Sequence, residues 1–236
     1  MLTQPLTHTD GRKTGALNPA AGWSVRSRVI GKGGSLGEVL EMMGASISFT
    51  RNEEIYGENE PAEFIYRVTR GTVRTYKLLN DGRRQIGAFY LPGDIFGLEA
   101  GDNHRLTAEA ISDTTVLVIK RSALASHVAQ NIDLARELWA VTARELEHVQ
   151  DLMLVLGRKN ALERVAGFLL EMAGRALRQN AIELPMSRQD IADYLGLTIE
   201  TVSRTFTQLE GAATIALPSS RRVILRDRAA LVRMNA

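Results

Sequence analysis

The chain has 236 residues, enough for one or two domains with a buried core, and a formal net charge of +2, so it is not a uniformly basic coat protein. It contains no cysteine, which excludes disulfides, iron–sulfur clusters on thiolates and Cys-based zinc sites. No apolar run approaches the ~18 residues of a membrane span and no signal peptide opens the chain, so a soluble, cytoplasmic protein without membrane contact is expected.

Residues 1–35 mix Thr, Gly, Arg, Asn and Pro with little periodicity and read as a flexible N-terminal arm, with Trp23 as its one large aromatic anchor. From Ala45 to Lys120 the signal changes to short β-rich runs: Ile55–Tyr56, Phe64–Thr69, Val73–Leu79, Gln85–Tyr90 and Val116–Ile119. Turn signals separate them at Gly57–Pro61, Arg70–Gly71, Asn80–Gly82 and Pro92–Gly93. Many short strands at close spacing predict a jelly-roll or β-barrel domain over residues 36–130, with a hairpin at Asn80-Asp81-Gly82. A β-roll is also compatible with a cupin-like enzyme, which would cluster His and carboxylates about a metal. Here His8, His104, His127 and His148 are scattered without ligand spacing, and no nucleophile–base pattern appears. His104, alone in a loop, is expected as a hydrogen-bonded surface residue rather than a haem ligand.

Residues 131–157 carry a long helical pattern. Trp139, Thr142, Leu146, Val149, Met153 and Leu156 alternate three and four apart, a heptad seam. A second stripe, Leu134, Leu138, Val141 and Leu152, lies beside it, so the helix has one apolar face for its own domain and one for a partner. Arg158-Lys159-Asn160 breaks the pattern before an amphipathic helix over Ala161–Leu177. The segment 158–236 holds 12 Lys/Arg against 8 Asp/Glu, leaving 17 against 19 in the other 157 residues, so it is the candidate nucleic-acid partner.

Within it, Ser187–Glu210 reads as two short helices. Ile191 and Leu195 form one apolar stripe, and Val202, Phe206 and Leu209 form another. Ser187 caps the first helix, with Asp190 three residues later; Gly196 turns the chain, and Thr198 caps the second helix. This predicts a helix-turn-helix whose second helix lies in the major groove. Glu200, Ser203 and Arg204 share its outer side. Arg can bond guanine O6 and N7 together, and a carboxylate can accept from cytosine N4, so these three are the base-reading candidates. The alternative is an ordinary Glu200–Arg204 surface pair. Ser187, Arg188, Thr198 and Thr201 are candidates for backbone contact or support. Beyond Glu210, Thr214–Leu217 and Val223–Leu225 are short β runs joined by Pro218-Ser219-Ser220-Arg221-Arg222, a wing whose Arg221 and Arg222 suit phosphates. Residues 227–232 close the domain as a short helix. One module reads too few base pairs for specificity, so a homodimer paired through residues 131–157 is expected on an inverted-repeat duplex.

The run DIADYLGLTIETVSR resembles the recognition segment of the cyclic-AMP receptor/fumarate-nitrate regulator superfamily, especially its FixK-type branch, and the likeness extends over most of residues 36–230. Gly196–Arg204 matches the branch's G-L-T-x-E-T-[VI]-S-R pattern. The resemblance implies an α+β fold: an N-terminal β-roll of the cyclic-nucleotide-binding kind, a dimerisation helix and a C-terminal winged helix-turn-helix. It implies a transcription regulator that reads TTGA- or TTGC-type half-sites through Glu200, Ser203 and Arg204. Relatives reading TGTGA carry Arg before the Glu, where this chain has Ile199. RNA polymerase is the implied partner of an activator of microaerobic, nitrogen-fixation or denitrification genes, with Asn80–Arg84 and the loop around Arg178–Ile182 as positional candidates for that contact. Leu98 stands where cyclic-nucleotide binders place a ribose-binding Glu, and Arg105 is not followed by Ser, so no cofactor is expected. An effector-gated sensor with another small ligand in the β-roll, or a helix-turn-helix serving protein contacts, are the alternatives. Relatives often carry a redox-regulatory Cys after a Pro-Met pair; here Ser187 follows Pro185-Met186, as a natural variant or a replacement of that thiol.

Overall fold

The computed structural model describes residues 35–176 and 180–235. The expected arm with Trp23, and Arg178 in the loop named above, lie outside the described residues.

The described chain opens with helix α1 (Leu36–Met43), started by a complete capping box between Ser35 and Glu38. Eight strands follow: β1 (Ala45–Phe49), β2 (Glu54–Tyr56), β3 (Phe64–Arg70), β4 (Val73–Leu78), β5 (Arg84–Tyr90), β6 (Ile95–Phe96), β7 (Thr107–Ala110) and β8 (Thr114–Lys120). They form two antiparallel four-stranded sheets, ordered β1-β8-β3-β6 and β2-β7-β4-β5. Phe49, Tyr66, Val68, Phe96, Val116 and Val118 from the first sheet meet Ile55, Tyr56, Val73, Ala108 and Ala110 from the second in one core. This sandwich is the expected jelly roll. β8 lies between β1 and β3, and Val116, Leu117, Val118 and Ile119 are all buried, which explains its unbroken apolar run. The β4–β5 hairpin turns where expected, with Gly82 in the left-handed region at φ +84°.

Helices α2 (Arg121–Val128) and α3 (Ile132–Arg158) come next. α3 has 27 residues, and the Asn131 side chain caps it by accepting from the backbone N–H groups of Asp133 and Leu134. Of its residues Leu134 alone is fully buried. Helix α4 (Ala161–Arg175) begins at Asn160 with another capping box, closed by Glu163. Strand β9 (Ala181–Glu183), helices α5 (Arg188–Leu195) and α6 (Ile199–Gly211), strands β10 (Ile215–Ala216) and β11 (Arg222–Leu225), and helix α7 (Arg228–Asn235) complete the chain. The last three strands form an antiparallel sheet ordered β10-β11-β9, with β10 and β11 as the wing.

Phe168, Leu169 and Met172 of α4, Ile191 and Leu195 of α5, Val202, Phe206 and Leu209 of α6, and Val223 and Leu225 of β11 make a second core. Ile86, Phe89 and Ile111 from the roll belong to it too. The two segments of the chain therefore share buried apolar surface.

Candidate nucleic-acid interface

The bihelical unit is set by its caps. The Ser187 hydroxyl accepts from the Asp190 N–H at 3.1 Å, and Asp190 Oδ2 accepts from the Ser187 N–H at 2.9 Å and its hydroxyl at 2.7 Å. This reciprocal box satisfies donors that the first turn of α5 leaves open. Gly196 ends the helix at φ 62°, ψ 39°, its N–H bonded to the Ala192 carbonyl. An L side chain there would be strained, and its Cβ would approach Leu156 Cδ2 at 3.1 Å. The Thr198 hydroxyl then accepts from the Thr201 N–H at 3.2 Å and starts α6. Ala192 is fully buried in the shared core, where its small side chain suits close packing of α5 and α6.

Val202, Thr205, Phe206 and Leu209 face inward, so Glu200, Ser203 and Arg204 stand exposed along the opposite side of α6. Thr207 and Gln208 continue that exposed face by one further turn, and the Thr207 hydroxyl donates to the Ser203 carbonyl at 3.1 Å. Both lie one helical repeat of four residues beyond Ser203 and Arg204, the signal by which the sequence marks them. The Glu200 carboxyl sits below its usual range. Its own backbone N–H and the Thr198 hydroxyl hold the anion in place, slight desolvation opposes them, and Arg204 adds attraction. An acceptor at one end of the face and a guanidinium at the other suit a C·G edge and a G edge.

The supporting cations divide into different settings. The Arg188 guanidinium lies 3.3 Å from the centre of the Phe206 ring, and burial pulls its pKa down to about 10. It packs between α5 and α6 as a support. Arg221 is exposed at the wing, while Arg222 Nε lies 3.7 Å from Glu183 Oε1 on β9. Arg164, not singled out from sequence, donates to the carbonyls of Leu195 at 2.7 Å, Lys159 at 2.8 Å and Leu156 at 3.0 Å. It thereby ties the C-terminal ends of α3 and α5 together, where the helix dipoles favour a cation.

On α3, Trp139, Leu146, Val149 and Met153 are more than half exposed, at 75%, 58%, 53% and 65%. Thr142 is exposed and Leu156 half-buried. The predicted seam is thus the solvent side of α3, while Leu134 is buried and Leu152 and Val155 pack against the second core.

One expectation is corrected. His104 is not a surface residue: it is 1% exposed and stacks on Tyr56 with ring centroids 3.5 Å apart. Burial lowers its pKa against the pull of Glu99. Its loop closes a turn in which Pro61 bridges Asn103, which brings the ring inside. In the hairpin stretch Asn80–Arg84, the first four residues are exposed, and Arg84 turns inward to Asp190 and Asp193. The roll retains a cavity of ≈ 340 Å³ lined by Tyr56, Lys77, Tyr90, Leu98, Glu99, Arg105 and Glu145 among others. Glu145 reaches it from α3 and accepts from the Tyr90 hydroxyl at 2.7 Å.

Comparison with known proteins agrees with this architecture. Residues 46–131 match a cyclic nucleotide-binding domain and residues 163–234 a Crp-like helix-turn-helix domain. The chain is 49% identical to the nitrogen fixation regulation protein FixK of Azorhizobium caulinodans, over 92% of this chain and 91% of that one. It is 40% identical to the transcriptional activatory protein AadR of Rhodopseudomonas palustris, over 79% of this chain and 80% of that one. Among solved structures, FixK2 from Bradyrhizobium japonicum superposes with a TM-score of 0.79 at 55% identity, over 82% of this chain and 98% of that chain. With a jelly roll, a long helix and a winged helix-turn-helix in this order, and with these relatives, the chain belongs to the CRP/FNR family of DNA-binding transcription regulators, in its FixK branch, and is not an enzyme.

Proposed function

We propose that this regulator works as a cytoplasmic homodimer that reads inverted TTG(A/C) half-sites without cyclic AMP or a metal cluster, and activates transcription by touching RNA polymerase. The observation that carries the reading is the exposed Glu200–Ser203–Arg204 face of α6, fixed at its start by Thr198 and at its base by the Gly196 turn. The dimer rests on the exposed apolar seam of α3: such a contiguous stripe is a liability on a soluble monomer and suits an isologous coiled-coil contact. Two subunits then present α6 to half-sites about one helical turn apart. Activation and the nitrogen-fixation setting are supported by the relatives' names. In the roll cavity the acidic Glu99 and Glu145 accompany Lys77 and Arg105, a poor setting for a cyclic phosphate.

Gel-shift titration tests the reading. Arg204→Ala is expected to remove the preference for TTG half-sites over mutated ones and to leave dimerisation intact; unchanged selectivity would refute it. The roll cavity keeps a second reading in view, an effector-gated regulator with another small ligand. Titration calorimetry with cyclic AMP, expected to show no heat of binding, tests the proposed independence of cyclic AMP.

A further inference from the structure

Asp190 has two oxygens with two different duties. Oδ2 takes the Ser187 N–H and hydroxyl and completes the cap of α5 locally. Oδ1 accepts from Arg74 Nη1 on β4 at 2.6 Å and from Arg84 Nη2 on β5 at 2.7 Å. Asp190 is 3% exposed and Arg74 8%. Arg74 is anchored in its sheet by Glu109 of β7, and Arg84 Nε also reaches Asp193 Oδ2 at 2.8 Å, one turn along α5. Beside them Gln85 Nε2 donates to the Tyr194 carbonyl at 3.2 Å. The cap does not need the arginines, and the arginines do not need the cap. What the pair adds is a joint between the roll and the first helix of the reading unit.

Planar guanidinium–carboxylate bonds are directional, whereas the apolar contacts of Ile86 and Phe89 with the same unit tolerate sliding. We propose that Arg74 and Arg84 are positioning residues for DNA reading: through Asp190 and Asp193 the β4–β5 hairpin fixes the attitude of α5 and α6 against α3, and so sets the half-site spacing that the dimer accepts. The proposal rests on the dimeric reading above. Neither arginine touches DNA; each acts through α5.

The test uses full-length protein and three duplexes: an inverted repeat at its preferred spacing, the same repeat lengthened by one base pair, and a single half-site. Arg84→Asp places a further carboxylate against Asp190 and Asp193 and weakens the joint, while the Arg74–Asp190 bond stays in place. Its preference for the proper spacing is expected to fall by about tenfold, a size usual for coupling inside one hydrogen-bonded network, with single half-site affinity unchanged. Adding Asp193→Arg restores a pair of opposite sense and is expected to return the preference. The proposal is overturned if Arg84→Asp keeps the parent's spacing preference, or if it weakens all three duplexes equally and Asp193→Arg restores nothing. A parent protein that shows no inverted-repeat preference at all would instead overturn the dimeric reading, and this inference with it.

Discussion

As the proposed base readers, Arg204 and Glu200 are each expected to contribute roughly 1–3 kcal/mol against a wrong base pair. Arg221, exposed at the wing, is proposed to act differently, on phosphate. Arg221→Ala is expected to weaken binding equally on matched and mismatched duplexes and to lower the salt slope by about one per subunit, read from affinity against ionic strength. At the helix starts, Thr198→Ala removes the cap of α6 and is expected to cost ~1 kcal/mol in a urea titration. Asp190 gives a pH signature. Burial pushes its pKa up, but the Ser187 donors and the Arg74 and Arg84 charges outweigh that and hold it below the usual value. A depressed carboxyl contributes its stability above the unfolded value of ~3.9 and loses it as pH falls through the lower folded value. Asp190→Asn is therefore expected to flatten the acid limb of stability against pH; parallel curves for both proteins would contradict this. Ser187, Gly196 and Thr198 were legible from sequence because a cap is a local device, closed within three residues. The second duty of Asp190 and the stacking of His104 on Tyr56 were not, since their partners lie far along the chain and only the fold joins them.

Along α3 a 3.5-residue apolar repeat sustained over its length leaves few readings other than a long helix. Observed bounds of Ile132–Arg158 shift it by one residue from the expected span. Strands β1, β6 and β7 were missed. Ala45-Ser-Ile-Ser-Phe alternates weakly, Thr107-Ala-Glu-Ala has no branched apolar residue, and β6 spans two residues. Their pairing comes from neighbours rather than from their own propensity. The seam of α3 makes a direct prediction. Leu146→Glu places like charges opposite one another across the two-fold axis and is expected to give a monomer in sedimentation velocity, with its secondary structure retained. A stable dimer would show that another surface pairs the subunits.

For the whole molecule, the order of roll, long helix and winged helix-turn-helix followed from composition and periodicity, but the boundary near residue 158 proves less of a division than the sequence suggests. Ile86, Phe89 and Ile111 of the roll lie in the same core as α4, α5 and α6, and Arg164 ties α3 to α5. A separated C-terminal segment would expose that shared face. In the proposed dimer, two copies of α6, held in register by α3, read a symmetric site with no added ligand. Selection of binding sites from random duplex DNA by the purified, effector-free protein tests it most directly. An enriched inverted repeat with TTG(A/C) in each half and one fixed spacing is expected. Enrichment of a single unpaired half-site, or no enrichment until a small molecule is supplied, would contradict it.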